Sequence, residues 1–188
     1  MKSPSKPYFW IVLYEAEIKG IKVSAENALS HITELVEKLM QHAEETPHGI
    51  IGLCVAIHGL VDQEEIVFTP NYTLQSDLKV QLEDVYPFYV HLENEANLAA
   101  LGEYTFGSSS DSVVSLSIHT GIGAGIVENG KLRTGKTGKA GEIGHSILYP
   151  DGRKCPCGNE GCLEQYASHQ AIYSELEQAL GLPDVNSS

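Results

Sequence analysis

Three cysteines fall within eight residues near the end of the chain, in Cys155-Pro156-Cys157-Gly158-Asn159-Glu160-Gly161-Cys162, and they constrain the fold more than any other feature. An odd cluster cannot pair off completely, and a disulfide across a one-residue gap would be badly strained. Metal binding is the better physical account, with reduced, unliganded thiols as the alternative. His145 precedes Cys155 with nine residues between them. Three thiolates and one imidazole would form the four-ligand set of a closed, structural zinc (Zn2+) site, with no position left for water. Spacing alone leaves the fourth ligand open, because seven other histidines are present. Gly158 and Gly161 let the backbone turn tightly enough for the sulfurs to converge.

The remaining cysteine, Cys54, lies in the apolar run Ile50–Ile57. A free Cys in such a run reads as a small core hydrophobe.

Glu142 precedes His145, and Glu164 follows Cys162 by two residues. A metal clamp on both segments would bring two carboxylates together, and two solvated surface glutamates are the plain alternative. His91-Leu92-Glu93-Asn94-Glu95-Ala96-Asn97 sits where a strand gives way to a helix, the usual ligand crevice of α/β sheets. Asn94 could equally be an N-cap, with Glu93 and Glu95 answering the helix dipole. Thr120, Gly121 and Gly123 belong to a Gly-rich loop that could cradle phosphate, but no P-loop Lys follows, and a plain glycine turn serves as well.

Along the chain, residues 1–7 read as a leader and Phe9–Tyr14 as a β-prone stretch. Ser24 offers an N-cap to a helix carrying Leu29, Ile32, Val36 and Met40 at helical spacing. Strands are expected over Ile50–Ile57, Glu65–Phe68, Phe88–Leu92, Val113–Ile118 and Ala124–Glu128. Helices are expected behind Ser76, over Glu95–Tyr104 and over Leu163–Leu180. Asn129-Gly130 predicts a type I′ hairpin leading into Lys131–Arg133. Strands alternating with helices indicate an α/β architecture. The stretch Gly107-Ser108-Ser109-Ser110 predicts a boundary between an N-terminal α/β lobe, 1–110, and the start of a second lobe, 111–188, that bears the metal loop. That second lobe reads as unfinished.

With 12 Lys+Arg against 25 Asp+Glu, the net charge of −13 excludes a phosphate-backbone-binding surface on this chain. No apolar run approaches the roughly 20 residues of a membrane helix. The expectation is a soluble, cytoplasmic protein.

In this order, residues 50–166 resemble the ROK family of bacterial sugar-responsive repressors and sugar kinases. The resemblance rests on Gly52–Asp62, Pro70-Asn71, Glu93-Asn94-Glu95-Ala96-Asn97, Thr120-Gly121-Ile122-Gly123-Ala124-Gly125, Gly141-Glu142-Ile143-Gly144-His145 and Cys155–Glu164. It implies an actin-like, ribonuclease H-like two-lobed fold, incomplete here at both ends. It also implies a structural zinc at His145, Cys155, Cys157 and Cys162, and a monosaccharide, xylose or glucose, bound between the lobes by Asn71, Asn94, Glu95, Glu142, His145 and Glu164. A site of paired carboxylates and amides rejects sugars lacking a matching hydroxyl.

Departures from the family pattern separate repressor from kinase. Family kinases place an Asp general base where Glu95 stands, and the extra methylene displaces the carboxylate by about 1 Å, worth about 100-fold where geometry is tight. Their N-terminal Asp-Gly-Gly-Thr-like phosphate loop has no counterpart in Tyr8–Glu17, and His58 replaces a usual Pro. The pattern is most similar to the xylose-repressor branch. It implies a sugar-sensing effector domain that is a homo-oligomer and meets DNA only through a helix-turn-helix absent from these residues. The alternative is a sugar kinase using ATP and Mg2+, with Glu95 as catalytic base.

Overall fold

The computed structural model describes residues 12, 14–42, 48–70, 74, 76–107 and 109–181. By internal contacts the chain divides into two units, residues 1–94 and 95–188.

In the first unit, helix α1 (Ala28–Met40) buries Ala28 and Val36 on one stripe. Its N-cap is Asn27, not the expected Ser24. Ser24 instead forms the turn before the helix, its N–H donating to Asn27 Oδ1 at 2.7 Å while its carbonyl receives the Ala28 N–H at 3.0 Å. Strand β1 (Gly52–Ile57) then pairs in parallel with β4 (Tyr89–Asn94), Gly52 opposite Tyr89 and Ile57 opposite Asn94. Two parallel neighbours require a crossover. Here it consists of the hairpin β2 (Leu60–Asp62) and β3 (Glu65–Phe68), followed by helix α2 (Leu78–Val85). Gln63 and Glu64 turn the hairpin with φ of 51° and 65°. The core joins Val36, Ile57, Val61, Ile66, Leu78, Leu82, Tyr86, Val90 and Leu92.

Two expectations change in this unit. The run Ile50–Ile57 is not buried throughout. Period-two alternation sends Leu53, Val55 and Ile57 toward the core, and leaves Gly52, Cys54 and Ala56 exposed. Cys54 is therefore an exposed thiol rather than a core residue. The β-prone segment near the N-terminus forms no strand at residues 12 and 14–19, and its residues 9–11 and 13 lie outside the described residues.

In the second unit, α3 (Glu95–Gly102) continues directly from β4 and ends in a π-helical turn, Glu103–Gly107. It packs on the antiparallel sheet β5 (Ser112–Ile118), β6 (Ile122–Glu128) and β7 (Lys131–Leu132), with Ala96 and Ala100 buried. This packing keeps α3 with the sheet inside the second unit, residues 95–188. Asn129 and Gly130 turn β6 into β7 with φ of 51° and 75°, the type I′ hairpin expected from the dipeptide. The expected helix over Leu163–Leu180 is two helices, α4 (Glu164–Ala167) and α5 (His169–Leu180). Ser168, buried and extended at φ −72° and ψ 159°, breaks them and caps α5, its Oγ accepting the Ala171 N–H at 3.2 Å. Gly181 closes α5 in the left-handed region at φ 64°. Among the described residues, no helix is long and apolar enough to cross a membrane.

Candidate metal centre and its flanking carboxylates

Residues 146–163 fold back on themselves through main-chain bonds. Isolated bridges join Ile147 to Cys162 and Lys154 to Glu160. Cys155 N–H donates to Asn159 O at 2.9 Å, and Gly161 N–H to Arg153 O at 2.8 Å. A 3-10 turn, Ile143–His145, delivers the imidazole to the same place. One ligand atom each from His145, Cys155, Cys157 and Cys162 then lies within 4.8 Å of every other.

Finer distances agree with a metal centre. Cys157 Sγ and Cys162 Sγ are 3.7 Å apart. A tetrahedral ion with metal–sulfur bonds near 2.3 Å sets sulfur atoms about 3.8 Å apart. His145 turns Nδ1 toward Cys155 Sγ at 3.5 Å, and its Nε2 lies 3.8 Å from Glu142 Oε2. One ring nitrogen thus faces the thiols, while the other lies beside a carboxylate at a distance longer than a hydrogen bond. The four cysteines are all free thiols. The donor set fits a divalent ion.

Protonation follows from burial. Burial pushes the Cys155 thiol up. It pushes Cys162 up to about 12, helped by the neighbouring Cys155 and Cys157. For Cys157 burial acts in the same direction, but the Asn159 N–H and the two neighbouring thiols outweigh it, and its pKa ends below the ordinary value. Three thiols this close cannot all ionise without a cation among them.

The Glu164 carboxylate and the main chain just before Glu142 are both anchored to the start of β6. Ala124 N–H donates to Gly141 O at 3.0 Å, and Gly141 has φ 90°. A methyl group on Gly141 would collide with the Ala124 carbonyl oxygen, so only glycine lets the Glu142 segment lie against the strand. Glu164 Oε2 accepts the main-chain N–H of Ile122 at 2.8 Å. A Cβ on Gly121 would come within 2.6 Å of that same oxygen. Glu142 and Glu164 are each partly buried.

The remaining sequence candidates are placed as follows. Thr120 is exposed, while Gly121 and Gly123 are partly buried; the Ile122 N–H between the two glycines is committed to Glu164. In the first unit, Asn94 Nδ2 donates to Gly59 O at 2.7 Å and Asn94 N–H to Glu93 Oε1 at 2.8 Å, with Glu93 buried. Glu95, the first residue of α3, is exposed. Asn71 lies outside the described residues. One residue beside the centre had no signal in the sequence: Gln165 Nε2 lies 3.6 Å from Cys155 Sγ. An amide next to a glutamate on a helix is unremarkable until the helix is oriented.

The model of the ROK family matches residues 12–186. The xylose repressor of Bacillus subtilis (strain 168) is 39% identical over 150 residues, covering 78% of this chain and 39% of the repressor. A ROK family glucokinase from Streptomyces griseus, solved in complex with glucose and AMPPNP, superposes with a TM-score of 0.73 at 35% identity, over 84% of this chain and 51% of that one. A ROK family transcriptional regulator, described as a homolog of the E. coli MLC protein, superposes with a TM-score of 0.72 at 31% identity, over 87% of this chain and 43% of that one. The fold is accordingly the actin-like α/β fold of these proteins. The chain spans about two-fifths to half the length of these relatives.

Proposed function

Since the chain belongs to the ROK family, we propose that it is the sugar-sensing part of a xylose-repressor-like regulator built around one structural zinc ion. His145, Cys155, Cys157 and Cys162 would hold the ion, whose contribution is structural, because a set of four protein ligands leaves no open position. The observation that carries this reading is the anchoring of the Gly141 main chain, just before Glu142, and of the Glu164 carboxylate to the start of β6, on either side of the segment that bears the ligands. Glu142 and Glu164, with Glu95 and the imidazole of His145 in the same unit, would supply acceptors and donors for the vicinal hydroxyls of a monosaccharide, xylose or glucose; Asn71 and Asn94 are the further contacts that the family resemblance implies. Buried polar groups left unpaired by a sugar lacking one hydroxyl give the discrimination.

Regulation is favoured over turnover by Glu95. Phosphoryl transfer is almost entirely positioning and electrostatics, and a glutamate where family kinases carry an aspartate holds its carboxylate about 1 Å out of place. Binding without turnover needs neither ATP nor a phosphate loop. DNA contact and self-association belong, under this proposal, to the whole protein, with sugar occupancy shifting the balance between its states.

A second reading, a sugar kinase using ATP and Mg2+ with Glu95 as base, is favoured by the likeness to the Streptomyces griseus glucokinase. One experiment separates them. Titration calorimetry with xylose and glucose should show binding, and a coupled ADP-release assay with ATP and Mg2+ should show no turnover. Turnover above about 1 s⁻¹ would establish the kinase and sink the regulator. Absence of sugar binding would remove both.

A further inference from the structure

A centre of three thiolates, one neutral imidazole and a divalent cation carries one net negative charge. Two of the three sulfurs that would share that charge are buried, Cys155 at 7% exposed and Cys162 at 0%, while Cys157 is exposed. Buried charge is tolerated only where donors answer it. Main-chain N–H groups supply part of the answer, that of Cys157 facing Cys155 Sγ and that of Asn159 facing Cys157 Sγ. A side chain supplies another, because Gln165 Nε2 lies 3.6 Å from Cys155 Sγ. The opposite amide orientation would set a carbonyl oxygen against a thiolate, so the chemistry selects the nitrogen.

Gln165 is held in place from several sides. Its main-chain N–H donates to Cys162 O at 3.0 Å, and its main-chain carbonyl oxygen accepts Arg153 Nη1 at 2.7 Å. Arg153 is itself fixed. Its N–H donates to the Tyr166 hydroxyl at 2.7 Å, its guanidinium lies 4.6 Å from the Tyr166 ring centroid, and its Nη2 meets Glu175 Oε1 at 2.5 Å. These bonds fix the main chain from which the Gln165 side chain starts, so the amide needs only its own rotamer to reach Cys155.

We propose that Gln165 is a positioning residue of the metal centre, donating its side-chain N–H to the Cys155 thiolate and thereby tightening metal binding and tying α4 to the metal loop. The proposal rests on the zinc reading above. Partners of ligating groups of this kind are worth about 10- to 100-fold in affinity.

The test uses the full chain loaded with zinc and, separately, with 113Cd. Gln165→Met keeps the length of the side chain and removes the donor. Competition against a chromogenic chelator should show one equivalent of zinc in both proteins and at least about 10-fold weaker binding in the variant. In the unsubstituted protein, NMR should show scalar coupling between the Gln165 side-chain amide proton and 113Cd, a signature that packing alone does not produce. Equal affinities within about twofold, or no such coupling while Cys155 remains a ligand, would overturn the proposal and leave the zinc reading standing. Failure of the unsubstituted protein to take up zinc would overturn both.

Discussion

The main-chain N–H of Ile122 donates to the carboxylate of Glu164, 42 residues away in sequence, at 2.8 Å. That bond gives the first helical residue after the metal loop a fixed orientation at the start of β6. It also explains why Gly121 carries no side chain, since a Cβ there would lie 2.6 Å from the same oxygen.

Glu164→Ala removes the acceptor from the N–H of Ile122, a residue 7% exposed. The expected loss of stability is about 1–3 kcal/mol, read by chemical denaturation, together with loss of sugar binding. Gly121→Ala should displace the carboxylate without removing it, weakening sugar affinity by calorimetry. A variant with unchanged sugar affinity in both cases would show that Glu164 does not touch the sugar.

Zinc binding must expel the protons that burial keeps on Cys155 and Cys162. Lower pH fills those sites with protons and so opposes the metal. Affinity should therefore rise between about pH 6 and pH 8, with proton release detectable in weak buffer. An affinity independent of pH would mean that the thiols are not the ligands. Removing the ion with a chelator should lower the melting temperature, because the loop loses its cross-link.

Thiol reagents should read the same centre independently. Cys54 is exposed, while the other three cysteines would be bound to the ion. With zinc present, one thiol per chain should react with Ellman's reagent. The Cys54 thiol is reachable, but partial desolvation by its neighbours and then the Glu93 charge raise its pKa, so it should react more slowly than an unperturbed thiol. After chelation the count should rise to four, the full number of cysteines in the chain. A count of four before chelation would contradict the metal centre.

Glu64 makes a separate prediction in the first unit. The Tyr89 hydroxyl is the main cause holding its carboxyl below the usual 4.5; burial opposes it as the second-largest effect, and hydrogen bonds from His91 and Lys79, with the Lys79 charge, add to the lowering. The folded state then binds its proton less readily than the unfolded state does. Its contribution is present above pH 4.5 and is lost as pH falls through the folded value. Glu64→Gln should flatten the decline of melting temperature in that acid range. Parallel curves for the two proteins would show that the cluster does not couple to folding.

Local chemistry was legible without a structure. The Asn129-Gly130 dipeptide demanded its hairpin through backbone sterics alone. Cys155, Cys157 and Cys162 lie so close along the chain that their convergence follows from chain connectivity, and the alternation of strands and helices pointed to α/β. The exposure of Cys54 was not legible, because an apolar run does not say which face of a strand meets the core. Nor was the break at Ser168, where a single extended residue interrupts a segment of continuous helical character.

The sequence by itself therefore determined the three thiols of the donor set and the α/β type of fold, since both depend on residue identity and short spacing, whereas spacing left the imidazole open. Only the tertiary structure decided which nitrogen of His145 faces the thiols, that Glu164 is held by Ile122, and that Gln165 reaches Cys155. Each of those depends on how a turn or helix is oriented by packing far along the chain. A pattern of residues along one dimension does not carry that information.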